Sequence, residues 1–194
     1  YVERTNNLGL SKSITLGVTE VLKNFNSVIV IEDDLVVAEG FLRYMNHYLN
    51  RYMNEEKVIS IHGYTYPLEK KFSSNFFISG ADCWGWGTWR RGWKKYNTNG
   101  KFLLDELRSR NLLWKFNFEG AADYKKMLNN SILGYNDSWA IKWYASAILS
   151  DMVTLYPRES LVSNIGNDGS GIHSTKSNKF DVDLNSIVLD TSDI

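Results

Sequence analysis

Val28-Ile29-Val30-Ile31-Glu32-Asp33-Asp34 is the stretch on which the fold of this chain turns. A β-branched run without interruption suits a strand buried on both faces. The acids follow directly on it. Upstream, Ile14, Leu16, Val18, Val21 and Leu22 recur close to a helical period over residues 11–23, with Ser11 or Ser13 as the cap. Downstream, Phe41, Leu42, Met45, Tyr48, Leu49 and Tyr52 recur at three and four over 38–53, and Val58 to Ile61 makes a second buried run. Helix, strand, helix, strand predicts an α/β fold, a mostly parallel Rossmann-like sheet flanked by crossover helices.

The pattern changes after Gly63. Residues 64–75 read as a loop containing Pro67, and 75–79 as a short strand. Helices are expected over 101–110, 121–130 and 138–150, and a strand over 152–156. Residues 163–179, rich in Ser, Asn, Gly and Lys, read as a loop. The 194 residues fit a single domain: an αβ core over 1–62, a second half over 63–175 and a tail over 176–194.

Composition narrows the function classes. With 43% hydrophobic and 14% aromatic residues, the chain is not disordered, collagen-like or a coiled coil. Lys and Arg number 22, as do Asp and Glu, so the basic excess of a nucleic-acid binder or a polybasic membrane anchor is missing. No apolar run approaches the roughly 20 residues that span a bilayer. A single cysteine, Cys83, excludes an intrachain disulfide and is compatible with a reducing compartment. Tyr1 opens no signal-peptide pattern, and the sequence reads as beginning inside a larger unit.

Four places carry candidate chemistry. Glu32, Asp33 and Asp34 follow a buried strand, where open α/β sheets bind ligands. Their oxygens are hard ligands for Mn²⁺ or Mg²⁺, commonly shared with a diphosphate. The competing reading is that Asp34 caps the next helix. Trp84 and Trp86 alternate with Gly85 and Gly87 and suit the wall of a sugar pocket, whereas Trp89 and Trp93, at helical spacing, suit a core. Asp137, before Ser138-Trp139 and an apolar helix, is placed either as that helix's N-cap or as a general base toward a hydroxyl. His62 ends the second strand and could face the same cleft; His173, in Gly169-Ser170-Gly171-Ile172-His173, is either solvated or a contact on a closing loop. Phosphate-binding glycine loops, zinc spacings and a nucleophile elbow are all missing from the sequence.

Taken in order, Asn7-Leu8-Gly9-Leu10, Gly17-Val18, Val28 to Leu35 and Phe41-Leu42-Arg43-Tyr44-Met45-Asn46 resemble nucleotide-sugar glycosyltransferases of the GT-A fold. Cys83-Trp84-Gly85-Trp86-Gly87-Thr88-Trp89 looks like the bacterial sugar transferases of surface-polysaccharide synthesis in particular. A more distant resemblance is to the Golgi N-acetylglucosaminyltransferase I family. The resemblance covers most of residues 4–173 and implies a role at each matching position. Asp34 would ligate Mn²⁺, with His173 on a loop that orders over the donor. Glu32, Asp33, Arg4 and Asn7 would contact the donor, Trp84 and Trp86 the acceptor, and Asp137 would be the catalytic base. Ser138 after the proposed base, and a longer span from Glu32 to Asp137, depart from the Golgi pattern. The family's first βα units would precede Arg4, so a sheet edge left open here invites a homodimer.

The expected reaction is an inverting transfer of a sugar, from a UDP-sugar most of all, to a glycan or lipid-linked acceptor. No nucleic acid takes part. The bacterial resemblance implies a cytoplasmic location, extending to the inner membrane face. The alternatives are a carbohydrate-binding or assembly module that kept the fold and lost catalysis, and a sugar nucleotidyltransferase.

Overall fold

The computed structural model describes residues 2–68, 72–166 and 180–184. His173 and most of the expected tail lie outside them. The chain runs α1 (Leu10–Asn24), β1 (Ser27–Val30), β2 (Leu35–Val37), α2 (Phe41–Arg51), β3 (Val58–His62), β4 (Phe76–Ser79), β5 (Trp86–Trp89), α3 (Arg90–Trp93), α4 (Gly100–Ser109), α5 (Leu113–Phe116), α6 (Tyr124–Ile132), α7 (Ala140–Leu149), β6 (Val153–Tyr156) and β7 (Val162–Asn164).

The fold is α/β with a mixed sheet of five strands in the order β1-β5-β3-β6-β4. β1, β3 and β6 share one direction, as crossover helices require. β5 inserts antiparallel between β1 and β3, and β4 closes the far edge antiparallel to β6. Pairing of Trp86 with both Val30 and His62 brings the carboxyl ends of β1 and β3 together with the start of β5. A separate ribbon joins β2 to β7.

Helices cover both faces. On one, α2 packs Phe41, Tyr44, Met45 and Leu49 against Ile61, Trp89 and Leu155. On the other, Val18 and Leu22 of α1 and Trp139, Trp143 and Ala147 of α7 pack against Ile59, Trp86 and Met152. Trp86 is fully buried there, its ring centroid 5.2 Å from Trp139, 5.7 Å from Trp143 and 5.9 Å from Trp93. A third cluster joins α7 to α4, α5 and α6 through Leu103, Leu107, Phe116 and Leu128.

Helical spacing predicts that Trp89 and Trp93 share a helix face, but Trp89 ends β5. It lies on the α2 face of the sheet, opposite Trp86, because strand side chains alternate. Its indole N–H donates to the Leu49 carbonyl at 2.9 Å, and the Arg91 guanidinium lies 4.2 Å from its ring. Trp93 closes the short α3 and is core, as expected.

Candidate functional site

The acids occupy a tight turn between β1 and β2. The Leu35 N–H donates to the Glu32 carbonyl at 3.2 Å and reverses the chain. A strand follows, not a helix, and α2 has Gly40 at its N-cap. Asp34 therefore caps no helix, and the competing reading of these acids falls. The ribbon partner fixes Asp34 instead. Its carbonyl accepts the Ile165 N–H at 2.9 Å, and Asn164 Nδ2 donates to its Oδ2 at 3.3 Å. Gly166 approaches so closely that a Cβ there would lie 2.7 Å from Asp34 Oδ2.

Burial, then the charges of Asp34 and Asp33, push the Glu32 carboxyl up to about 7. Among the described residues no ammonium or guanidinium group pairs with any of these acids. Hard oxygens and uncompensated negative charge are what a divalent cation satisfies, so the donor set fits one. Among the described residues no His, Cys, Asp and Glu side chains converge as a ready-made cage. A cation shared with a diphosphate needs few protein ligands.

Arg4, Asn7 and Asp137 gather at the N-terminus of α1. Asn7 Oδ1 accepts the Gly9 N–H at 2.9 Å, and Arg4 Nη1 donates to Ser13 Oγ at 3.4 Å. Asp137 Oδ2 accepts the Ser11 N–H at 3.1 Å. Gly9, at φ +76°, makes room: a Cβ there would lie 3.0 Å from that same oxygen. The expectation that Asp137 caps its own helix is corrected. Ser138 Oγ accepts the Ile141 N–H at 3.3 Å in that place, and Asp137 caps α1 from across the fold.

A pocket of about 350 Å³ opens beside the segment joining β4 to β5. Tyr64, Tyr66, Trp84, Tyr124, Tyr144 and Tyr156 line it with Asp82. Asp82 Oδ2 accepts the hydroxyls of Tyr66 at 2.8 Å and Tyr156 at 3.2 Å, and Oδ1 accepts the Cys83 N–H at 2.8 Å. The Tyr124 hydroxyl lies against that of Tyr66. Burial and the Asp82 charge push the phenols of Tyr64, Tyr66 and Tyr156 up, and that of Tyr124 to about 12. The Cys83 thiol is pushed up by burial, then by Asp82 and Glu32, and less by Asp34. The pocket and the acid turn are thus electrostatic neighbours.

Trp84 lines this pocket, as its sequence position suggests, with its ring 4.8 Å from Tyr64 and 5.9 Å from Phe180. Trp86 is different: its ring lies wholly inside the tryptophan core and has no exposed face to offer a ligand. His62 is also fully buried and lines no cleft. Its Nε2 accepts the Trp84 N–H at 3.1 Å, and burial pushes its pKa down, so it acts as a neutral pin on the pocket loop. Among the described residues lining the pocket, Asp137 is not one.

Sequence reasoning missed Asp82 and its tyrosines. An acid set directly before Cys83-Trp84, in a chain with 11 tyrosines, was the available signal. The tyrosines of the pocket come from four separate segments, and nothing in their spacing shows that they meet. Comparison of the chain with protein-family models and with curated proteins gives no match.

Proposed function

We propose that this chain is a metal-dependent glycosyltransferase with a GT-A-like fold, moving a sugar from a nucleotide-sugar donor to an acceptor hydroxyl with inversion. One observation carries the reading. Adjacent carboxylates, with no cationic partner among the described residues, stand at the carboxyl end of β1, at the same end of the sheet as the Trp84 wall of an aromatic pocket. A UDP-sugar as donor, and a glycan or lipid-linked sugar as acceptor, rest on the sequence resemblance.

Asp34, held by Asn164, would ligate Mn²⁺ or Mg²⁺, and by resemblance His173 would join it. Such a cation supplies charge stabilisation to a departing nucleoside diphosphate. Glu32 and Asp33 accept hydrogen bonds from the donor's sugar and ribose hydroxyls. Asp137 keeps Oδ2 on the Ser11 N–H, which leaves Oδ1 to take the acceptor's proton. Trp84 offers its ring to the acceptor, turning an encounter into an oriented one.

The test is thermal unfolding with UDP, GDP or dTDP, each with and without Mn²⁺. A ligand at about 100 times its dissociation constant stabilises by roughly 2.7 kcal/mol. One nucleotide is expected to raise the melting temperature only with Mn²⁺, and Asp34→Ala to abolish the rise. No rise with any nucleotide, in a protein otherwise folded, overturns the reading. Release of pyrophosphate in place of a nucleoside diphosphate reassigns the chain to nucleotidyl transfer.

A further inference from the structure

We propose that the Asp82 pocket is the acceptor subsite, that it takes an uncharged pyranose, and that Asp82 makes it reject anionic sugars. The proposal rests on the glycosyltransferase reading and adds the acceptor's chemical class. Its geometric basis is a pocket of about 350 Å³, inside the roughly 300–1,000 Å³ range of small-molecule sites.

The walls are aromatic and the floor is a carboxylate. Tyr66, Trp84, Tyr124, Tyr144 and Tyr156 offer ring faces and edges, on which the C–H faces of a pyranose pack. An ionised carboxylate has about four acceptor positions. Tyr66, Tyr156 and the Cys83 N–H donate to three of them on Asp82, and the Cys83 thiol, a weak donor, hydrogen-bonds it as well. A sugar hydroxyl is a stronger donor than that thiol and is the ligand group suited to take its place. No lysine, arginine or histidine lines the pocket among the described residues, so the described walls offer an anionic ligand no cationic partner. A uronic acid or sugar phosphate would bring its own anion against that carboxylate and against the nearby acid turn.

The arrangement also places an acceptor usefully. Trp84 is pinned by His62 at the end of β3, and His62 shares Trp86 as its strand partner with Val30, two positions before Glu32. A sugar in the pocket therefore lies at the same end of the sheet as the acids that follow β1, where the donor's reacting carbon is held in the proposed reading.

Saturation-transfer NMR on the full chain, with methyl glucoside, methyl galactoside, methyl N-acetylglucosaminide and methyl glucuronide, tests this. At least one neutral glycoside is expected to give signal, with the glucuronide silent. Tyr144→Ala should abolish the signal, and Asp82→Asn should weaken neutral binding at least fivefold while admitting the glucuronide. The nucleotide melting shift with Mn²⁺ should persist in both variants and certifies that each is folded. Neutral signal unchanged in both variants, or a glucuronide that binds the wild type as well as the neutral sugars, overturns the proposal while the donor reading stands. Sugar binding in a protein that shifts with no nucleotide overturns the acceptor role and the donor reading together.

Discussion

Asp137 Oδ2 accepts a hydrogen bond from the backbone N–H of Ser11, 126 positions earlier in the chain. One carboxylate thus fixes the start of α1, where Asn7 accepts the Gly9 N–H and Arg4 donates to Ser13, Asn7 and Arg4 being two of the residues expected at the donor. Its structural and chemical roles separate by substitution. Asp137→Ala leaves the Ser11 N–H unpaired, and a lost cap of this kind costs about 1 kcal/mol. Asp137→Asn keeps an acceptor oxygen, loses only the favourable charge at the helix start, and should cost less. Both variants should lack turnover. Urea unfolding paired with an assay for nucleoside diphosphate release checks this; an Asn variant working at the wild-type rate would make Asp137 a cap and nothing more.

Glu32 sets a pH dependence that can be read in metal-free buffer. Its carboxyl titrates near 7 in the fold against an ordinary 4.5. Between those values the folded chain holds a proton that the unfolded chain has released. Its contribution to stability is therefore fully present below about pH 4.5 and is lost as the pH rises through about 7. Glu32→Gln should remove that slope and leave the protein more stable than wild type above neutrality. Urea midpoints across this range, with equal slopes in the two proteins, would refute the account.

The neighbouring tryptophans should part company. Trp86 is wholly enclosed by Trp93, Trp139 and Trp143, so Trp86→Ala should cost about 3–5 kcal/mol in chemical denaturation. Trp84 is only half-buried at the pocket wall. Trp84→Ala should cost clearly less and show itself in weakened acceptor use. Equal losses of stability would mean that the wall of the pocket is core.

A buried hydroxyl relay crosses the centre of the sheet. Thr154 Oγ1 donates to the Gly80 carbonyl at 2.8 Å, which leaves Ser60 to donate to Thr154 at 2.6 Å. Thr154→Val strands both the Gly80 carbonyl and the Ser60 hydroxyl and should cost about 1–3 kcal/mol. Ser60→Ala leaves the Thr154 bond intact and should cost about 1 kcal/mol or less. The reverse order, by equilibrium unfolding, would show that the relay runs the other way.

Periodicity made the elements with strong patterns legible. The β-branched runs at 28–31 and 58–61 are β1 and β3, and the expected helices match α1, α2, α4, α6 and α7 to within a few residues. The order of strands was not legible. β5 is written in tryptophan and glycine, and its placement between β1 and β3 depends on Gly87, whose missing side chain lets Met45 and Leu49 of α2 approach. β2 and β7 are too short to announce themselves, since each exists only through the other. The acid turn showed in the sequence because its residues are adjacent. The pocket did not, because Asp82, Tyr124 and Tyr156 meet only once β6 and α6 have packed.

The β2–β7 ribbon has a consequence for the order in which a ribosome delivers this molecule. Asp34 leaves the exit tunnel 130 positions ahead of Asn164, the residue that holds its carboxylate. The Ala38 N–H likewise waits for the carbonyl of Leu161, and the Gly63 carbonyl for the N–H of Leu161. A nascent chain halted before β7 could assemble α1, β1, α2 and β3 and still leave its acid turn slack. The charged loop acquires its shape only once β7 has emerged, so its geometry depends on a strand made 130 positions later.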